Sequence, residues 1–196
     1  MADKREHKYY EKTLPEGYEE AFVIDAKDKK TAVFLNIAAV LIMAAILTAS
    51  VLIIKPSDFF KSYSLLRNFL LIAAMVAYMV LHELVHGAAY KLLTGQKLTF
   101  GLTLSVAYCG VPEIYVYRRG AIIALLAPFT VFLTLIIPVF FLENAWDKLY
   151  VMVLFAMHIG GCAGDLYDTF LYLFRFREPT VLMRDTGPKQ TFYRKK

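Results

Sequence analysis

The sequence predicts an all-α polytopic membrane protein, with four transmembrane helices and a small β-hairpin between the second and the third. Three observations carry that expectation. Of the 196 residues, 58% are hydrophobic, and the mean hydropathy is +0.49, high for a soluble domain. Four apolar runs have about the length that a bilayer core demands. Between the second and third runs the pattern switches from helical to period two.

Residues 1–31 form a polar, charged arm carrying Lys4, Arg5, Lys8, Lys12, Lys27, Lys29 and Lys30, which does not look like a cleaved signal peptide. Within it Leu14-Pro15-Glu16-Gly17 marks a turn, and Phe22-Val23-Ile24 suits a short strand or a membrane-surface contact. The first helix is expected over about 32–54, ended by Lys55-Pro56. Its one strongly polar side chain, Asn36, suits an interhelical hydrogen bond. A loop with Phe59, Phe60 and Tyr63 follows, as an interfacial aromatic belt would read. The second helix spans about 68–93, with Gly95 as its stop.

Leu98, Phe100, Leu102, Leu104, Val106 and Tyr108 then alternate with smaller or more polar residues, a strand signature. A turn at Cys109-Gly110-Val111-Pro112 and a return through Ile114–Tyr117 complete a hairpin over about 97–117. Open strand edges are not tolerated in lipid. The hairpin therefore lies at the interface, lines a cavity, or pairs with an extended peptide. The third helix is expected over about 121–141, with Pro128 and Pro138 inside it, and the fourth over about 149–174. Residues 177–196 form a basic tail.

The basic residues of the whole chain sit at both ends and in the loop between helices two and three, at Lys91, Lys97, Arg118 and Arg119. That distribution places the termini and this loop in the cytoplasm. No basic stripe is interleaved with aromatics, so the net charge of +5 does not indicate nucleic acid. The two cysteines, Cys109 and Cys162, make neither a disulfide framework nor a zinc-thiolate spacing.

The chemistry concentrates in the second helix. His82-Glu83-Leu84-Val85-His86 is an HExxH pattern, and half of the chain's four histidines are in it. Residues four apart share a helix face, so both imidazoles reach a single zinc ion. Glu83 lies beside them and can accept a proton from an attacking water. Polar groups at membrane depth are costly and mark function. The bland alternative is a pair of hydrogen-bonding histidines beside a protonated glutamate. A catalytic zinc has three protein ligands, so a third is sought among His158, Asp165 and Asp168, all on the fourth helix. Depth favours Asp165. His158 lies two turns deeper, roughly 10 Å away, and suits a structural or gating role. Asp168 is the alternative ligand or a partner of a ligating histidine. Gly160 and Gly164 flank Asp165 at a spacing that lets transmembrane backbones approach closely.

With His82-Glu83-Leu84-Val85-His86-Gly87 in one helix, Ala127-Pro128-Phe129 in the next and Gly164-Asp165 in the last, the chain resembles the bacterial putative zincin peptidase family, related to the site-2 proteases, over about residues 14–174. The resemblance implies a membrane-embedded zinc endopeptidase in the bacterial cell membrane. It implies His82, His86 and Asp165 as ligands, Glu83 as catalytic base, and a hairpin that helps hold a membrane-protein or peptide substrate. In the site-2 pattern the aspartate precedes a glycine; here Gly164 precedes Asp165. The competing expectations are a non-catalytic metal-binding membrane protein with a structural, sensory or transport role, and an inactive relative that binds no metal.

Overall fold

The computed structural model describes residues 8–50, 52, 54, 64–102 and 107–196. The expected end of the first helix at Lys55-Pro56, the aromatic belt, and positions 103–106 of the expected long strand lie outside the described residues.

Helix α1 (Lys29–Ser50) and helix α2 (Leu65–Thr94) are each long and apolar enough to cross a membrane. Gly95 ends α2 at φ 69°, its amide donating to the Lys91 carbonyl, in the left-handed conformation glycine adopts without strain. Helix α3 (Arg118–Phe132) contains Pro128 and runs into a 3-10 segment, Leu133–Phe140, that contains Pro138. Together they make a third span. The interruption expected at Pro138 takes the form of a 3-10 second half, because Pro138 cannot donate to an α-helical ladder.

The expected single fourth helix is two: α4 (Ala145–Gly161) and α5 (Ala163–Phe174), bent by 42°. Gly160, Gly161 and Gly164 surround the break, and each glycine costs a helix about 1 kcal/mol relative to alanine. Counted as one span, the bent pair is the fourth. Asn144 caps α4 by accepting from the amides of Trp146 and Asp147. Arg67 pairs with Asp147 at 3.2 Å, tying α2 to α4 at that end.

The fold is not all-α. Five strands, β1 (Tyr10–Glu11), β2 (Tyr18–Asp25), β5 (Tyr115–Tyr117), β6 (Leu182–Asp185) and β7 (Lys189–Lys195), form one antiparallel sheet in the order β1-β5-β6-β7-β2. Tyr10 pairs with Val116, Val116 with Met183, Met183 with Phe192, and Phe192 with Phe22. The two terminal segments and the α2–α3 connection thus share a sheet. One face of it packs on the ends of α2, α3 and α5 through Tyr10, Val116, Met183 and Phe192, which meet Tyr90, Ala124, Leu125 and Tyr172 in a single buried cluster. Burying each large member contributes roughly 2 kcal/mol. Arg118 fastens the same corner, its guanidinium donating to the Tyr172 and Phe176 carbonyls at the end of α5.

The hairpin is also placed differently. β3 (Thr99–Leu102) pairs with β4 (Ala107–Gly110), so the chain reverses within the expected single strand 98–108. The return strand β5 belongs to the large sheet instead. Val111 donates to the Asp185 carbonyl at 2.9 Å, which draws the chain toward β6.

Candidate metal centre

Helix α2 carries one inward stripe at four-residue spacing: Tyr78, His82, His86 and Tyr90, all buried. The His86-facing end is covered by β3. A side chain on Gly87 would meet Phe100 Cζ at 2.6 Å, so only glycine lets the hairpin lie this close to the motif. Glu83 is half-buried beside the stripe, with the Cys109 backbone of β4 on the side of its carboxylate.

Asp165 arrives from the other side. The break at Cys162 puts it in the first turn of α5, where free backbone amides favour a carboxylate. Its Oδ2 lies 3.4 Å from His82 Nε2 and 3.3 Å from His86 Nε2. Donor atoms of these three residues all fall within 4.8 Å of one another. The expectation that Gly160 and Gly164 bring the aspartate close takes a different form. Gly160 admits α1, since a side chain there would meet Met43 Cγ at 2.5 Å and the Ala39 carbonyl at 2.9 Å. Gly164 faces open space.

His86 Nδ1 is 2.9 Å from the Ala124 carbonyl on α3. In an α-helix that carbonyl would accept from the amide of residue 128, but Pro128 has none. The imidazole takes the vacated acceptor, as neighbours do for proline-freed carbonyls in membrane helices. A carbonyl only accepts, so Nδ1 carries a hydrogen, and in the neutral imidazole Nε2 offers its lone pair toward Asp165. A positive charge between Nε2 and the carboxylate oxygen 3.3 Å away satisfies both, whether it is the imidazole's own second proton or a metal ion. Ligands about 2.0–2.1 Å from a tetrahedral zinc stand about 3.3 Å from each other, so the spacing and the donor set both fit zinc.

His158 does not join this group. It is fully buried, with Nδ1 3.0 Å from the Tyr78 hydroxyl. It shares a second convergent group with His82 and Cys162, but the Tyr78 hydroxyl already bridges the two histidines. Asp168 is buried and lines the same cavity without belonging to either convergent group among the described residues.

A cavity of about 530 Å³ opens onto the site, a size suited to a substrate side chain and its flanking backbone. Asn36 and Met43 of α1, Tyr108 of β4, Met157 of α4 and the open Gly161 and Gly164 line it. Its wall includes residues with no sequence signal for a role here. Asp185 of β6 accepts from Tyr90 at 2.7 Å and from the Gly187 amide at 2.8 Å. Burial raises its carboxyl to about 6, against those two hydrogen bonds. Tyr78, by contrast, was within reach of sequence reasoning, since it stands one turn before His82 on the same face.

No curated protein and no solved structure gives a match to this chain. A family model described as "Putative zincin peptidase" matches residues 75–180. The span opens just before Tyr78 and closes past α5, so it starts well after residue 14, where the sequence resemblance was expected to begin. It takes in the HExxH stripe, the hairpin, Pro128 and Asp165, and it covers more than half of the chain. The chain belongs to the zincin peptidase family so described.

Proposed function

We propose that this protein is a membrane-embedded zinc endopeptidase. The observation that carries the reading is the convergence of His82 Nε2, His86 Nε2 and Asp165 Oδ2 beside Glu83 on one cavity, within apolar helices. His82, His86 and Asp165 would hold the metal. A bound zinc supplies Lewis acidity, bringing a water's pKa to about 7 and polarising a scissile carbonyl.

The chain's own residues do the rest. Glu83 accepts the proton of the attacking water and returns it to the leaving amine. The Cys109 backbone stands beside the Glu83 carboxylate at the cavity. The substrate enters as an extended peptide, because among the described residues the β3–β4 sheet has two strands and so keeps edges for an added strand. The apolar lining at Met43, Met79 and Met157 favours an apolar side chain next to the cleaved bond. The two terminal segments and the α2–α3 connection, which the large sheet unites, carry most of the basic residues, which supports a cytoplasmic face there. A bacterial cell membrane is the location this reading implies.

The test is Glu83→Gln in detergent, with casein and a transmembrane-peptide library as probes and mass spectrometry as the readout. The expected outcome is about one zinc per chain in both proteins, with cleavage lost about 10²–10⁴-fold in the variant. Full cleavage by Glu83→Gln would refute the base. Stoichiometric zinc with no cleavage by the wild type would favour the non-catalytic metal-binding reading.

A further inference from the structure

The Tyr78 hydroxyl sits between two imidazoles, 2.9 Å from His82 Nδ1 and 3.0 Å from His158 Nδ1. A hydroxyl has one hydrogen to give, so the direction of this chain is set elsewhere. The other end supplies it. His158 Nε2 lies 3.2 Å from the Phe129 carbonyl on α3. A carbonyl only accepts, so His158 carries its hydrogen on Nε2. Among the described residues its partners are the Tyr78 hydroxyl, the Phe129 carbonyl and, at 3.6 Å from Nδ1, the Cys162 thiol. None of these is a carboxylate, and the thiol is a weaker donor than the hydroxyl. The rings of Phe129, Phe132 and Phe155 surround it at 5.9–6.3 Å. In that apolar enclosure the imidazole is neutral, and its Nδ1 is a bare acceptor. Tyr78 therefore donates to His158, and its oxygen accepts from His82 Nδ1. With its hydrogen on Nδ1, a neutral His82 offers the lone pair of Nε2 on the Asp165 side.

We propose that Tyr78 and His158 are positioning residues that fix His82 in its metal-binding tautomer, reading the polarity of the chain from the Phe129 carbonyl. This inference rests on the zinc reading above. Both motif histidines are then oriented by the backbone of α3: His86 directly through the Ala124 carbonyl and His82 through a two-residue relay. The arrangement also assigns a reason for a fully buried histidine one helix turn before the α4–α5 break. Without an acceptor at position 158, the Tyr78 hydrogen turns to His82 Nδ1, the imidazole hydrogen moves to Nε2, and the metal loses that ligand.

The test is zinc affinity by competition with a chromophoric chelator, in detergent, for the wild type, Tyr78→Phe, His158→Leu, His158→Asn and His86→Ala. Tyr78→Phe and His158→Leu are expected to bind zinc about 10–100-fold more weakly, the usual loss when a ligand's orienting partner is removed. His158→Asn keeps an amide oxygen near the former Nδ1 and is expected to recover most of that affinity. Wild-type zinc binding that His86→Ala abolishes, with both Tyr78→Phe and His158→Leu binding as tightly as the wild type, would overturn the relay and leave the zinc site standing. His158→Asn as weak as His158→Leu would make His158 a packing residue and likewise overturn it. No zinc in the wild type would sink the metal reading itself. The relay is then judged on the metal-free wild type by two-bond nitrogen–proton correlation of the histidine rings. A hydrogen on His82 Nδ1 upholds it, and one on Nε2 refutes it. The same spectrum decides the case if a variant fails to fold.

Discussion

Replacing Pro128 with alanine should make the protein more stable and its metal site weaker. The substitution adds an amide hydrogen at position 128, in register with the Ala124 carbonyl. Proline inside a helix costs about 3 kcal/mol, so the thermal midpoint should rise. The same amide competes with His86, whose Nδ1 now holds that carbonyl at 2.9 Å. A hydrogen bond of this kind contributes about 1 kcal/mol, and up to about 3 kcal/mol when the donor gains positive charge. Sharing the acceptor should remove about half, or ~0.5–1.5 kcal/mol, equivalent to a zinc Kd about 2–10-fold weaker. Chelator competition and thermal unfolding in one detergent measure both quantities. Pro128→Gly adds the same amide without alanine's helix preference, so it should show the same affinity loss with less added stability. A raised midpoint with unchanged zinc affinity in both variants would refute the claim that Pro128 frees the carbonyl for His86.

Asp165→Asn should lose zinc, whereas Asp168→Asn should keep it, because only Asp165 brings an oxygen within 3.4 Å of both imidazoles; elemental analysis of the purified variants decides. Gly160→Ala should destabilise the α1–α4 contact by about 1–3 kcal/mol, since its side chain meets Met43 and the Ala39 carbonyl. Gly164→Ala, facing open space, should be neutral or raise the midpoint through helix preference of up to about 1 kcal/mol. Asp185 gives a pH dependence. Its carboxyl is held up at about 6 by burial in the fold, against about 4 in an unfolded chain. Between those values the unfolded chain gives up a proton that the folded one keeps, so stability falls as pH rises from about 4 to about 6, by up to about 3 kcal/mol. Asp185→Asn should flatten that slope in melts taken across the window; an unchanged slope would show that another group sets it.

The elements that local pattern dictates were legible. α2 was readable from its apolar run, its four-residue stripe and the Gly95 stop, and with it the geometry of His82 and His86. Asp165 was approachable from depth alone, because an unbroken fourth helix and the bent pair put it at nearly the same level. The large sheet was not legible. Its strands β2 and β7 pair residues as far apart as Tyr18 and Lys195, and such pairing leaves no periodic trace in either segment beyond short alternation. In β7 the charges of Arg194 and Lys195 lie at the exposed end of the strand, while Thr191 and Phe192 are buried. The hairpin misplacement has a related cause. A period-two run states that a strand is present but not where it reverses, and both halves of 98–108 keep the alternation.

What the sequence displayed without explaining was the role of its helix breakers. Pro128 read as an interruption of the third span, and the glycines around Cys162 as small residues that let helices approach. In the structure each interruption exposes backbone polarity at the depth of His82 and His86. At Pro128 an acceptor is released, and His86 takes it. At Cys162 a fresh helix start is made, and Asp165 sits in its first turn. An uninterrupted α3 would make His86 share that carbonyl with a backbone amide, and an uninterrupted α4–α5 would leave Asp165 without the favourable end of a helix dipole. In lipid, where backbone groups have no water to turn to, a broken helix is tolerable only beside side chains that complete its hydrogen bonds. Here those side chains are the ones that converge as candidate metal ligands, so the same breaks that cost the spans stability orient the site.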